Sequence, residues 1–483
     1  MTKMRVLAFA VLLLFALGIS DLAAAQHDRT RSPVEAPVQA EPETQAEAAQ
    51  PAIVRREGMV IVPASSVVRP EDAGLRAHTN YELFVPKDLN GASVSPDTTY
   101  AEYPQSLACV YKVGTAYAGC TPNNGTNVAS GGWGAIALVD AYDDPTAASD
   151  LAFFSSYMHL PAPNFRTVIA NSSFGTLNGM TASCSGTPAN ANVPGWDVEE
   201  SLDIEYAHAM APSAEIILVE ACTASLGDLL YAEQVAGIEV AKAGGGDISN
   251  SWGGGEFAGE VGTVDDVFYR YHYSRISYFA SAGDSGWGAQ YPSSSPWVVS
   301  AGGTTINRDA AGNFVSESCW GDGINAPSGH GSGGGVSAYE KWQSPPNILN
   351  GMGPWANFQY EMAGATARQT PDMSFDADPA SGAWVYDTDS GGAWGIVGGT
   401  SLASPALAGI VNSANNRMGQ TPSGGGLYQN HENELIYSQL YAISAYPHNF
   451  YDVKTGSNGA GHSAGTGYDQ CTGVGSPRGK LGK

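Results

Sequence analysis

Three sets of residues in this sequence have the types and spacing for chemistry at a carbonyl group. The first is Gly398-Gly399-Thr400-Ser401-Leu402-Ala403-Ser404-Pro405, set between a short apolar run at 393–397 and a small, apolar run at 406–412. That pattern predicts a buried strand end, a glycine turn and a buried helix with Ser401 in its first turn. Unpaired backbone N–H groups and the positive end of the helix dipole lie at such a point, so a serine there is placed to act as an acyl-transfer nucleophile. Thr400 or Ser401 could equally serve there as a plain helix cap. The second set is Glu199 and Asp203, four residues apart in a predicted helix over 196–210 and so on one face of it. Adjacent carboxyls repel, which raises one pKa and lets the pair hold a proton, as a general acid–base working in acid must. The same spacing also suits a solvated acidic face. The third is Asp284 in Phe279-Ala280-Ser281-Ala282-Gly283-Asp284-Ser285-Gly286, at a predicted strand end. Protonated, Asp284 could donate to an oxyanion; ionised, it makes an ordinary Asx turn.

The elements that must position these groups alternate along the chain. Residues 135–139 (ending at Asp140), 215–220, 247–251, 276–282 and 297–301 read as short buried strands. Residues 145–159, 226–243 and 261–273 read as helices. This order predicts an α/β fold with a mostly parallel central sheet and helices on both faces. In such sheets the ligand site lies beyond the carboxyl ends of the strands. No internal repeat is present.

Four motifs stand in one order: Glu199-x-x-x-Asp203, Ser249-Asn250-Ser251-Trp252-Gly253, Ser281-Ala282-Gly283-Asp284-Ser285-Gly286 and Gly399-Thr400-Ser401-x-x-x-Pro405. In this the chain resembles the sedolisins, the serine-carboxyl peptidases of subtilisin-like fold, from about residue 100 to the C-terminus. The resemblance implies that Ser401 is the nucleophile, Glu199 the general base, Asp203 its orienting partner and Asp284 the oxyanion aspartate. Glu200 is also three residues from Asp203, so Glu199 is named by the family spacing and not by helix geometry. Ser251, Trp252 and Gly253 would form one wall of the substrate groove. The family also carries a C-terminal calcium loop. Matching ligands for one structural Ca²⁺ would be the Asp452 and Asp469 side chains and the Val453, Gly465 and Gly467 carbonyls. On the residues alone, two carboxylates and exposed carbonyls in glycine-rich loops supply the hard oxygens Ca²⁺ requires, although a plain surface loop has the same composition and the spacing is not that of an EF-hand. The implied activity is that of an endopeptidase or tripeptidyl-peptidase working in acid, after autocatalytic loss of a large prodomain. The stretch 26–99 is much shorter than such a prodomain.

Composition bounds the rest. In the 483-residue chain, Lys3 and Arg5 precede an apolar run over 6–17, and Ala23-Ala24-Ala25 offers a small-residue cleavage site. Residues 1–25 therefore read as a signal peptide, which implies secretion to the periplasm or exterior and no membrane attachment after its removal. Residues 26–61, rich in Pro, Ala, Glu and Gln, read as a disordered linker. Residues 62–99 read as an N-terminal extension or short propeptide, and 100–483 as the catalytic domain. Six cysteines suit an oxidising compartment, with Cys109 and Cys120 the nearest pair. The balance of 47 acidic against 22 basic residues, net −25, argues against nucleic acid and anionic membranes as partners. It suits an acid environment, or simply solubility. The expected partners are protein or peptide substrates, and the expected state is a monomer. A histidine-dependent subtilisin could use Asp140 and Ser401, but His330-Gly331-Ser332 falls after Asp284, in the wrong order, and His208 lies off the carboxylate face. A glycosidase pair would leave the Gly-Thr-Ser turn and Asp284 unexplained. A non-catalytic, calcium-stabilised secreted protein would require one catalytic residue to be misplaced.

Overall fold

The centre of the fold is the run Ala-Ile-Ala-Leu-Val-Asp-Ala, which forms a fully buried strand, Ala135–Ala141. Alternate side chains of a strand point to opposite faces. Ile136 and Leu138 join a core with Leu202, Tyr206 and Leu407, while Ala137 and Val139 join another with Leu229, Val235 and Val240. Helices therefore cover both faces, as the continuous apolar pattern predicts. The computed structural model describes residues 52–87, 95–96, 101–192, 195–265, 267–268, 275–321, 329–342, 358–359, 365–389, 392–414, 431–441, 444–459 and 462–481. The chain divides into two units, 1–50 and 51–483, and the signal sequence and 26–51 fall outside the described residues.

Parallel neighbours flank the central strand: Glu215–Ala221 on one side and Gly246–Asn250 on the other. Asn164–Ala170 closes the first edge in parallel. On the second side follow Ile276–Ser281 and Val298–Arg308, also parallel. Met373–Asp376 pairs in parallel with Val298–Arg308, and Phe314–Cys319 pairs with it antiparallel, completing an eight-stranded sheet. The fold is the expected subtilisin-like α/β arrangement. The strand Asn164–Ala170 carries no strong sequence signal, because an edge strand keeps polar residues and stays partly exposed. Of the helix predicted over 261–273, the described residues form a π turn, Glu260–Val264, and a helical pair, Val267 and Phe268.

Two helices converge on the site. Asp197–Met210 is buried along nearly its whole length, carboxyls included. Thr400–Ser413 packs on it so closely that a Cβ on Gly409 would lie 2.7 Å from Met210 Cβ and 3.0 Å from the Ala207 carbonyl oxygen.

The N-terminal region differs from its expectation. Gly58–Ile61 is a strand paired antiparallel with Glu82–Pro86, which pairs antiparallel with Trp394–Gly398. His78–Thr79 pairs antiparallel with Trp252–Gly255. Residues 52–61 are therefore not part of a disordered linker: the short Gly-Met-Val-Ile end of that stretch finds a partner strand that local composition cannot reveal. Residues 62–87 are likewise woven into the sheets of the catalytic region. Disulfides join Cys109–Cys120, Cys184–Cys222 and Cys319–Cys471. Among the described residues, no helix is long and apolar enough to cross a membrane.

Candidate active site

Ser401 is the second residue of its helix, entered through Gly399 at φ 100°. A Cβ on Gly399 would come within 2.2 Å of the Asn80 carbonyl oxygen and 2.5 Å of Asp284 Oδ2, so the turn admits glycine alone. Four residues on, Pro405 has no N–H to offer the Ser401 carbonyl. Ser251 Oγ lies 3.3 Å from that carbonyl instead, and it donates to Asp203 Oδ1 at 2.6 Å. The Ser401 hydroxyl donates to the Ser251 carbonyl oxygen at 3.1 Å. Ser251 thus ties the acidic helix to the serine helix. Its neighbours Trp252 and Gly253 begin the strand that pairs with His78–Thr79, and the Trp252 indole N–H donates to the Val139 carbonyl at 2.9 Å, beside Asp140.

Asp284 is held from the other side. Its Oδ1 accepts from the Thr400 N–H and hydroxyl, each at 2.8 Å, and the Gly283 N–H donates to Thr400 Oγ1 at 3.0 Å. Its Oδ2 is buried with no hydrogen-bond partner. The Ser401 N–H donates to the Asn80 carbonyl oxygen at 3.0 Å.

The carboxyls of Glu199, Asp203 and Asp284 are buried, and none belongs to an ion pair among the described residues. Burial pushes all three well above the usual carboxylic range. For Glu199 the nearby Asp140 adds to the rise and the neighbouring Ser401 hydroxyl opposes it; neither Glu199 carboxyl oxygen has a hydrogen-bond partner among the described residues, because the Ser401 hydroxyl is directed to the Ser251 carbonyl. Asp140 and then Glu199 add to the rise at Asp203, and the Ser251 hydroxyl opposes it. Glu82 adds to the rise at Asp284, and Thr400 opposes it. Asp140 itself is pushed up to about 8 by burial. Glu200 is also raised by burial, but its charged neighbours are Glu220, Asp140, Asp144 and Asp197. The fold turns Glu199 toward Ser401 and Glu200 away from it.

No histidine hydrogen-bonds Ser401 among the described residues. His208 is buried with Nε2 2.9 Å from the Pro161 carbonyl, and His330 pairs with Glu82. Three participants escape sequence reasoning. Asp140 can be noticed as a strand-end acid, but only the fold sets it against Glu199 and Asp203. Thr400 can be noticed only as the neighbour of Ser401. Asn80 has no local signal at all.

In the C-terminal loop, Asp452 Oδ1 accepts the Gly467 N–H at 2.9 Å and the Tyr446 hydroxyl at 3.2 Å, while Lys454 Nζ is 3.1 Å from Oδ2. Asp469 Oδ2 accepts the Gly465 N–H at 2.9 Å, and Oδ1 accepts the Cys471 and Thr472 N–H groups at 2.9 and 2.8 Å. Val453 is buried next to Asp452. Both carboxylates reach the turn that carries Gly465 and Gly467, and their hard oxygens fit the needs of Ca²⁺. No group of three or more His, Cys, Asp or Glu gathers among the described residues, so backbone carbonyls would have to complete a coordination shell there.

A model described as the subtilase family matches residues 175–421. Kumamolisin of Bacillus sp. (strain MN-32) is 30% identical over 364 residues, which cover 71% of this chain and 58% of kumamolisin. Sedolisin of Pseudomonas sp. (strain 101) is 35% identical over 199 residues, covering 40% of this chain and 29% of sedolisin. The chain thus spans less than two thirds of the length of these relatives. Among solved structures, a Pseudomonas sedolisin (serine-carboxyl proteinase), complexed with two molecules of pseudo-iodotyrostatin, is similar with a TM-score of 0.57 and 26% identity, covering 79% of this chain and 96% of that one.

Proposed function

The chain belongs to the subtilase family, on its sedolisin side, and on that premise we propose that it is a secreted serine-carboxyl peptidase that hydrolyses peptide bonds in acid. The observation that carries this reading is the set of buried, cation-free carboxyls held around Ser401 by Ser251 and Thr400. Glu199 takes the Ser401 Oγ proton as the oxygen attacks the scissile carbonyl. Asp203 holds Glu199 in place and shares the proton. Protonated Asp284 and the Ser401 N–H hold the oxyanion. Glu199 then protonates the leaving amine, and water releases the acyl group by the reverse proton path. Ser251, Trp252 and Gly253 offer the strand edge along which a substrate pairs. Asp452, Asp469 and the Val453, Gly465 and Gly467 carbonyls would hold one Ca²⁺, whose double charge would tie the turn at 465–469 to the strand end at 452.

A pH–rate profile for peptide cleavage, with Ser401→Ala alongside and calcium present, tests this. The expected optimum lies at roughly pH 3–5, where carboxyls titrate, and the variant is inactive. An optimum near neutrality, or a variant that still cleaves, overturns it.

A further inference from the structure

The side chain and the main chain of Asp284 are held by different parts of the molecule. Thr400 binds the carboxyl. The main chain is fixed from elsewhere: the Gly333 N–H donates to the Gly283 carbonyl at 2.6 Å, and the Gly331 N–H to the Asp284 carbonyl at 2.9 Å. From there Ser285–Trp287 runs on as a strand parallel to Gly331–Lys341. Gly288 and Gly334 exchange N–H···O bonds at 2.7 and 3.0 Å. The supporting run is Gly-Ser-Gly-Gly-Gly over 331–335, and glycine is the least constrained of backbones. A turn carried on such a strand needs a second support.

The C-terminal loop supplies it. The Trp287 N–H donates to the Asn458 carbonyl at 3.0 Å, and the indole N–H reaches Gln470 Oε1 at 3.4 Å. The His462 ring lies flat on the indole, with centroids 4.3 Å apart and planes 6° from parallel. A Cβ on Gly286 would come within 2.7 Å of the Asn458 carbonyl oxygen, so loop and turn meet backbone to backbone. The loop is itself anchored. The Cys319–Cys471 disulfide closes it, the Ser332 hydroxyl donates to the Cys471 carbonyl at 3.1 Å, and Gln470 Nε2 donates to Gln369 Oε1 at 2.6 Å. Trp287 belongs to neither hydrophobic core and is 44% exposed. An indole so placed adds little to the core. What its contacts do is join the Asp284 turn to the loop.

We propose that Trp287 and His462 are positioning residues for the oxyanion acid: their stack holds the turn 283–288 so that the Asp284 carboxyl keeps its place beside Gly399 and the serine turn. This rests on the peptidase reading above. The oxygen that matters is Asp284 Oδ2, which has no hydrogen-bond partner among the described residues and borders the Gly399 position. Thr400 fixes only Oδ1, so where Oδ2 points depends on the backbone that carries it. An oxyanion donor works only if it is already in place when charge develops on the substrate. A shift of about 1 Å in a catalytic group can cost about a hundredfold in rate. The stack acts through Asp284, so its loss weakens binding of the transition state and not of the substrate.

The test measures kcat and KM for one peptide at the acid optimum, with melting temperatures alongside. It compares the full chain with Trp287→Ala, Trp287→Phe, His462→Ala, Asp284→Ala, and Trp287→Ala combined with Asp284→Ala. Trp287→Ala and His462→Ala are each expected to lower kcat by about tenfold, the effect of a partial displacement, and to leave KM within about twofold. Their melting temperatures stay close to that of the unaltered chain. Trp287→Phe keeps a ring against His462 and recovers most of kcat. In the combined variant the loss equals that of Asp284→Ala alone, because a turn without its acid has nothing to position. Losses that multiply in the combined variant, a change confined to KM, or an unchanged kcat in both alanine variants overturns the proposal. In each of these cases Ser401-dependent cleavage leaves the peptidase reading standing. No cleavage by the unaltered chain at any pH overturns that reading and this proposal with it.

Discussion

Asp372 and Asp284 are both shut away from water, but in opposite company. Asp372 takes both Arg368 guanidinium nitrogens, the Tyr437 hydroxyl at 2.6 Å and the Ser300 N–H at 2.7 Å. Glu102, equally buried, is clasped by Arg308. Among the described residues no arginine or lysine pairs with Glu199, Asp203 or Asp284, and none donates to Asp284 Oδ2. A buried carboxylate with a guanidinium can keep its charge; one without it gains from holding its proton. The first arrangement anchors structure. The second makes a group whose protonation state can be used.

The largest effects should come from the uncompensated side. Ser401→Ala is expected to lower kcat for peptide cleavage by on the order of 10⁴-fold or more, measured at the acid optimum, without changing the melting temperature by more than a degree or two. Asp284→Ala should cost about 10²–10³-fold. Asp284→Asn should keep more activity and extend it to higher pH, since an amide donates whether or not protons are scarce. An unmoved alkaline limb in Asp284→Asn would remove Asp284 from the oxyanion role.

Next comes the compensated side. Arg368→Leu leaves Asp372 buried without its cation and should cost about 3–5 kcal/mol of stability in denaturant titration, with the acid limb of the pH–rate profile unchanged in the folded fraction. A loss near zero would mean that the pair is dispensable and the contrast empty.

A smaller effect is predicted for pH itself. The raised carboxyls hold protons in the folded state that the unfolded chain releases above about pH 4. Their contribution is full below that value and is lost as pH rises through the folded pKa, which for Asp140 is about 8. The melting temperature should therefore fall steadily between pH 4 and pH 8. Asp140→Asn should flatten that slope, and a rising slope would contradict the burial argument.

The smallest effect concerns the C-terminal loop. Chelation of calcium should lower the melting temperature by the equivalent of about 2–3 kcal/mol when the ion is held at a hundredfold excess over its Kd. Asp469→Asn should abolish that dependence, and indifference to chelator would remove the metal from this loop.

How legible all this is in the sequence depends on the range of the contact involved. The strand 135–141 and the helices at 197–210 and 400–413 are readable because apolar periodicity is a local property. The placement of Glu199 and Asp203 on one helix face, and of Ser401 in a first turn, follows from the same locality. Whether Glu199 or Glu200 faces the serine is not local, since both lie within a turn of Asp203. The packing of two helices across Gly409 and Met210 decides it. The Cys184–Cys222 and Cys319–Cys471 pairs, the placing of Asp140 beside two carboxyls, and the Arg clasps on Glu102 and Asp372 are decided in the same way. The sequence by itself determined the α/β alternation, the serine turn, the paired acids and the acidic balance of charge. Only the tertiary structure decided which acids go without a cation, and that Asn80, far from Ser401 in the chain, lies on its N–H. Protonation depends on burial and on neighbours, and both are set by segments that meet only when the chain has folded.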